Sequence, residues 1–281
     1  WKQERDGKTA LLVKGARRVG KSTIVEEFAR QEYETYMLID FSRASEEVKS
    51  LFNDLMDLDY IFLRLQAIYN VILQERRSVI IFDEVQKCPL ARQAIKQLVK
   101  DHRYDYIETG ALISIRKKGG GQRLSISGGH PEEIIIPSEE TRIDMFPMDY
   151  EEFRWALGDK ATVPLLRQFF DKQMPLGQAF RKSMRDFRLY MLVGGMPQAV
   201  NEYLDTNNLS KVDTVKREII DLYFDDFLKI DPSGRASQLF QAIPSELSKN
   251  ASRYQVSSVL SDSERKNLSE VLRAMKDSMV V

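Results

Sequence analysis

The chain is 281 residues long, enough for about two domains of ordinary size and a core that needs no covalent staples. A hydrophobic fraction of 43% and an aromatic fraction of 10% exclude a disordered or collagen-like chain. The 42 basic residues balance 42 acidic ones, which argues against coating nucleic acid by bulk charge and leaves only local basic patches for such contact.

In chain order, Ala10-Leu11-Leu12-Val13 is a compact apolar run that ends at Gly15 and reads as a buried strand. Ile24, Val25, Phe28 and Ala29 then share a helical face. Tyr36 to Asp40 predicts a second strand, and helical patterns follow through Leu51, Phe52 and Leu55 and from Ile61 to Leu73. The stretch Tyr60 to Leu73 is the nearest approach to the roughly 18 apolar residues of a membrane span, but it carries Arg64 and Gln66. No membrane association is expected. Ser78 to Phe82 predicts a third strand that stops at Asp83-Glu84. Cys88 is the one cysteine, so a disulfide framework is excluded and a cytoplasmic setting is expected. Pro89 opens a helix with Leu90, Ala94, Ile95, Leu98 and Val99 at helical spacing, and Tyr104 to Ile107 predicts a fourth strand. Strands alternating with helices of this length imply parallel pairing and an α/β sheet.

After residue 113 the composition shifts. Arg116 to His130 holds five glycines and five basic residues, a loop or β-hairpin connection. Its Arg116, Lys117, Lys118 and Arg123 offer contacts to nucleic acid phosphates, but a solvated loop is favoured because no aromatic platform is interleaved. Ile134 to Ile136 and Arg142 to Phe146 predict short strands returning to the sheet. From Asp149 the pattern is helical. Phe153, Ala156 and Leu157 form one face, Leu165, Leu166, Phe169 and Phe170 another, and Val212, Val215, Ile219, Tyr223 and Phe227 a third. Asp225-Asp226 is expected to face solvent. Pro244-Ser245-Glu246 reads as a helix start within a small winged-helix-like segment. The expected domains are a core over 1–146, a helical unit over 147–230 and that segment over 231–281.

Gly15-Ala16-Arg17-Arg18-Val19-Gly20-Lys21-Ser22 satisfies G-x-x-x-x-G-K-[ST] in full, between a buried strand and an amphipathic helix. That context is what a phosphate cradle requires. Glycines let successive N–H groups turn inward, and the helix adds the positive end of its dipole. Lys21 would reach the β- and γ-phosphates, Ser22 would ligate Mg²⁺, and Thr23 would add a hydroxyl near the α-phosphate. The partner acid should end another buried strand. Asp83 does, and is assigned to Mg²⁺; Glu84, next in the chain, is assigned to orienting and deprotonating an attacking water. Thr109, at the end of the fourth strand, is read equally as a sensor of the γ-phosphate and as a turn-forming threonine before Gly110.

These segments, with Phe82 to Pro89, Thr109-Gly110-Ala111, Phe146 to Phe153 and Val193-Gly194-Gly195-Met196-Pro197 in this order, resemble a bacterial family of AAA-type ATP-binding proteins. Its members carry a C-terminal domain of unknown function and are related to the STAND and archaeal AAA+ ATPases. The resemblance implies an α/β P-loop NTPase (AAA+-like) parallel sheet core followed by a helical lid and a winged-helix-like segment. ATP and Mg²⁺ are the implied cofactors, and Gly195 and Pro197 match the element that packs near the nucleotide base in relatives. Read alone, that element is a helix break. Ala111 stands where many members have serine, and no arginine finger is assigned. The expectation is a Mg²⁺-dependent ATPase that drives or gates a conformational change toward an unidentified protein client. The rivals are a switch with little turnover, a small-molecule kinase and a DNA-associated ATPase.

Overall fold

The computed structural model describes residues 1–110, 122–124, 132–134, 139–248, 253–261, 264–265 and 268–280. After a short helix α1 (Lys2–Arg5), β1 (Ala10–Gly15) leads through a turn into α2 (Lys21–Glu32), and β2 (Thr35–Asp40) follows. Helices α3 (Glu46–Ser50) and α4 (Leu58–Tyr69) precede β3 (Ser78–Asp83), α5 (Pro89–Asp101) and β4 (Asp105–Gly110). The pattern from Ile61 to Leu73 is cut short because Asn70 takes a left-handed conformation, φ 51°, and caps α4.

β5 (Gln122–Leu124) and β6 (Glu132–Ile134) pair antiparallel with each other. Of the strand expected at Ile134 to Ile136, Ile134 pairs with Gln122 in this hairpin; residues 135 and 136 lie outside the described residues. β7 (Glu140–Met145) does return, parallel to β1.

The main sheet has the order β2-β3-β4-β1-β7, with every pairing parallel. Burial follows that order. β3 and β4 are interior strands, buried at every position, whereas β2 and β7 form the edges and are only partly covered. An unbroken run such as Val79-Ile80-Ile81-Phe82 is what a strand covered on both faces requires. One face packs Met37, Ile39, Ile80, Phe82 and Tyr106 against side chains of α4 and α5. The other packs Leu11, Val13, Val79, Ile81 and Ile107 against Val25 and Ala29 of α2. Parallel strands also end on one edge, so Gly15, Asp83 and Gly110 share the edge where ligands of such sheets bind.

The chain divides into two units, Trp1–Met145 with Ile230–Val281, and Phe146–Lys229. The second unit is helical: α6 (Tyr150–Ala156), α7 (Thr162–Asp171), α8 (Ala179–Val193), α9 (Pro197–Thr206) and most of α10 (Leu209–Ile230). Phe153, Val193, Ala199, Val200 and Val212 make its core. α6 begins at a capping box in which the Glu152 N–H donates to Asp149 Oδ1 at 2.8 Å and the Asp149 N–H donates to Glu152 Oε2 at 2.9 Å.

Two expectations are corrected in the helices. Asp226 is buried, and Lys229 Nζ donates to its Oδ1 at 3.0 Å. It shares a helical stripe with the buried Ile219 and Tyr223, so periodicity places it inward whatever its charge. Pro244 does not start a helix; it lies inside α11 (Arg235–Ser248), which is followed by α12 (Leu268–Asp277). Among the described residues from 231 onward there is no strand that would form a wing.

Candidate functional site

The turn between β1 and α2 is built by close approach and by backbone conformation. A Cβ on Gly15 would stand 2.3 Å from the Met145 carbonyl oxygen, so only glycine lets β7 end beside the loop. Ala16 and Val19 are buried, Arg17 is half-buried and Arg18 is exposed. Arg18 (φ 64°) and Gly20 (φ 98°) are both left-handed, which turns the chain sharply into α2. α2 starts at Lys21 with no side-chain cap and no acid in its first turn. A helix end of that kind presents orphan N–H groups and the positive end of a dipole, suited to an anion.

Lys21 is only 5% exposed. Its ammonium donates to the Gly15 and Ala16 carbonyl oxygens at 3.1 and 2.8 Å, and so lies folded across the loop it belongs to. Burial pushes its pKa below the ordinary lysine range; Glu84 and then Asp83 pull it back, and Arg17 adds to the fall. Two carboxylates thus neighbour one desolvated cation.

Ser22 Oγ donates to Asp83 Oδ1 at 2.7 Å, which joins the first turn of α2 to the end of β3. Thr109 Oγ1 donates to the same carboxylate oxygen. The Thr109 hydroxyl also accepts the Glu84 N–H at 3.2 Å. β4 lies between β1 and β3, so Thr109 at its end is placed to hold both acids. The Thr109 hydroxyl is thus engaged by Asp83 and by the Glu84 backbone, in a fully buried position. Glu84 itself is left-handed, φ 54°, and precedes a 3-10 turn, Val85–Lys87. Such a conformation is uncommon for a residue with a side chain and concentrates at functional sites. Gln86 Nε2 donates to Glu84 Oε2 at 2.5 Å.

The structure therefore brings together Gly15 to Ser22, Asp83, Glu84 and Thr109. Thr23 is exposed in the first turn of α2. Gly195 and Pro197 lie in the helical unit, in the turn between α8 and α9. There, the Met148 N–H donates to the Gly195 carbonyl at 2.7 Å, and Tyr190 Oη donates to the Met148 carbonyl at 2.9 Å. A Cβ on Gly195 would fall 2.0 Å from that same carbonyl oxygen. The two motifs flanking α6 and α9 are thus locked backbone to backbone, a local reason for the glycine. Sequence reasoning did not single out Gln86, whose one signal was its place two residues after Glu84.

A Walker-type loop, an acid ending the strand two places away and a polar side chain ending the strand between them define a P-loop NTPase core. A family model described as "AAA domain" matches residues 7–154, and a second, "Domain of unknown function (DUF8612)", matches residues 184–281. The first covers more than half of the chain, and the protein belongs to that AAA family: it is an AAA-type P-loop ATPase by fold, with a C-terminal domain of unknown function. Among solved structures, the Walker-type ATPase PABY2304 of Pyrococcus abyssi is similar with a TM-score of 0.52 at 15% identity, over 97% of this chain and 87% of that one. C. elegans PCH-2 aligns with a TM-score of 0.38 at 11% identity, over 78% of this chain and 61% of the other. A comparison with curated proteins finds no match. Among the described residues no helix is long and apolar enough to cross a membrane.

Proposed function

We propose that the chain binds ATP with Mg²⁺ at the turn between β1 and α2 and hydrolyses it, to drive or gate a conformational change. The observation that carries this reading is the Ser22 hydroxyl on the Asp83 carboxylate, 2.7 Å apart across 61 residues of chain. Hydroxyl and carboxylate are the hard oxygen donors that Mg²⁺ takes beside phosphates and water, so Ser22 and Asp83 fit as its protein ligands. Mg²⁺ would neutralise charge building on the phosphates.

The chain's own groups divide the remaining work. The amides of residues 15 to 22 hold phosphate oxygens, and Lys21 exchanges its two carbonyl acceptors for the β- and γ-phosphates. Thr109 keeps both acids in place. Glu84 accepts a proton from water as the water oxygen attacks the γ-phosphorus and the bond to the β–γ bridging oxygen breaks, leaving ADP and phosphate. Adenine is favoured by family membership, and no Asn-Lys-x-Asp string that would read guanine occurs in the sequence. The assignment of Gly195 and Pro197 to nucleotide contact rests on the resemblance alone.

Phosphate release by wild type and by Glu84→Gln tests the reading. Removing the base should slow turnover by about a hundredfold or more, within the usual range for general-base catalysis, with ATP affinity retained. Equal, negligible rates would support a nucleotide-gated switch. Phosphate found on a small acceptor would support a kinase, and salt-sensitive stimulation by DNA a DNA-associated ATPase.

A further inference from the structure

Gln86 sits in the 3-10 turn directly after Glu84, with its Nε2 bonded to Glu84 Oε2. Its Oε1 is buried and has no hydrogen-bond partner among the described residues. The two facts are linked. An ionised carboxylate accepts and cannot donate, so it admits only the N–H side of the amide and turns the carbonyl away. Leaving a buried carbonyl unpaired is costly, and a glutamine free to swing into water would avoid that cost.

Gln86 is seated instead against the end of β4. A Cβ on Gly110 would lie 2.9 Å from Gln86 Oε1 and 3.8 Å from its Cδ. The strand is therefore trimmed to glycine at the place where the amide rests. With the Glu84 backbone tied to Thr109, this leaves little freedom in the acid from either end.

We infer that Gln86, seated on Gly110, is a positioning residue that fixes the Glu84 carboxylate through Oε2 and directs its other oxygen to the attacking water. The inference rests on the hydrolytic reading above and deepens it. Gln86 touches neither nucleotide nor water in this scheme, so its loss should appear in kcat and not in KM or in ATP affinity.

Steady-state turnover and ATP binding of wild type, Glu84→Gln, Gln86→Ala, Gly110→Ala and the Gln86→Ala/Gly110→Ala double variant test it. Gln86→Ala should lower kcat by about ten- to a hundredfold, the scale on which misplaced catalytic groups lose rate. Gly110→Ala, whose methyl group displaces only the flexible end of Gln86, should lower kcat in the same sense. The double variant should be no slower than Gln86→Ala, because alanine at 86 leaves the new methyl group room. Full turnover in Gln86→Ala, or losses that multiply in the double variant, would overturn the assignment while a slow Glu84→Gln left the hydrolytic reading standing. A wild type no faster than Glu84→Gln would overturn both. Should Gln86→Ala fail to fold, Gly110→Ala decides, since full turnover in it contradicts the seating.

Discussion

Thr109 shows how much a single hydroxyl can carry when a strand ends between two others. Thr109→Val keeps the shape and removes the donor to Asp83 and the acceptor for the Glu84 N–H. We expect it to cost about 1–3 kcal/mol, the penalty for stranding buried polar groups, and to reduce turnover; urea melts and phosphate release measure the two. A variant as stable and as fast as wild type would contradict the double role. Lys21 gives a pH signature. Its pKa in the folded state lies below the ordinary lysine value of 10.5, so between those values the unfolded chain binds more protons. Stability therefore rises with pH through that window, and the contribution is lost as pH falls through the folded pKa. Urea melts without nucleotide should show wild type gaining on Lys21→Met as pH climbs toward 10.5; a constant difference would contradict the burial of a strained charge. The loop and the acids at 83 and 84 were legible in the sequence because each follows directly on a buried apolar run. The contacts of Thr109 with both acids and of Gln86 with Gly110 were not, since they depend on β4 pairing between β1 and β3, which no local pattern reports.

Among the elements, periodicity anticipates the sheet and most helices, and the departures from it have separate physical causes. Charge alone would put Asp226 in solvent, yet it lies on the buried stripe of Ile219 and Tyr223. The reverse error occurs in α7, where Phe170 shares an apolar pattern but is exposed. Ile134 was expected to lead back to the main sheet, but register and partner are non-local properties, and it pairs with Gln122 of β5. Gly195 looked like a helix break between α8 and α9; the added meaning comes from Met148, far away in sequence. Gly195→Ala places a methyl group against backbone atoms that have no flexible end to yield. Overpacking of this kind costs about 1–3 kcal/mol, which should lower the melting temperature of the chain. An unchanged melting temperature would mean that the turn before α9 is not held against Met148.

For the molecule as a whole, the first unit holds the loop at residues 15 to 22, both acids and Thr109, and the second holds the Gly195-Pro197 turn. A ligand that binds only the folded chain stabilises it by about 2.7 kcal/mol at a hundred times its Kd, so the folding of the first unit and its occupancy by nucleotide are one linked equilibrium. The most direct test is therefore calorimetric titration of ATP with Mg²⁺ into wild type and Lys21→Ala, with circular dichroism as the check on folding. Saturable binding by wild type and its loss in a folded Lys21→Ala is the predicted result. Undiminished affinity without the ammonium at position 21 would contradict the placement of the triphosphate on which the rest is built.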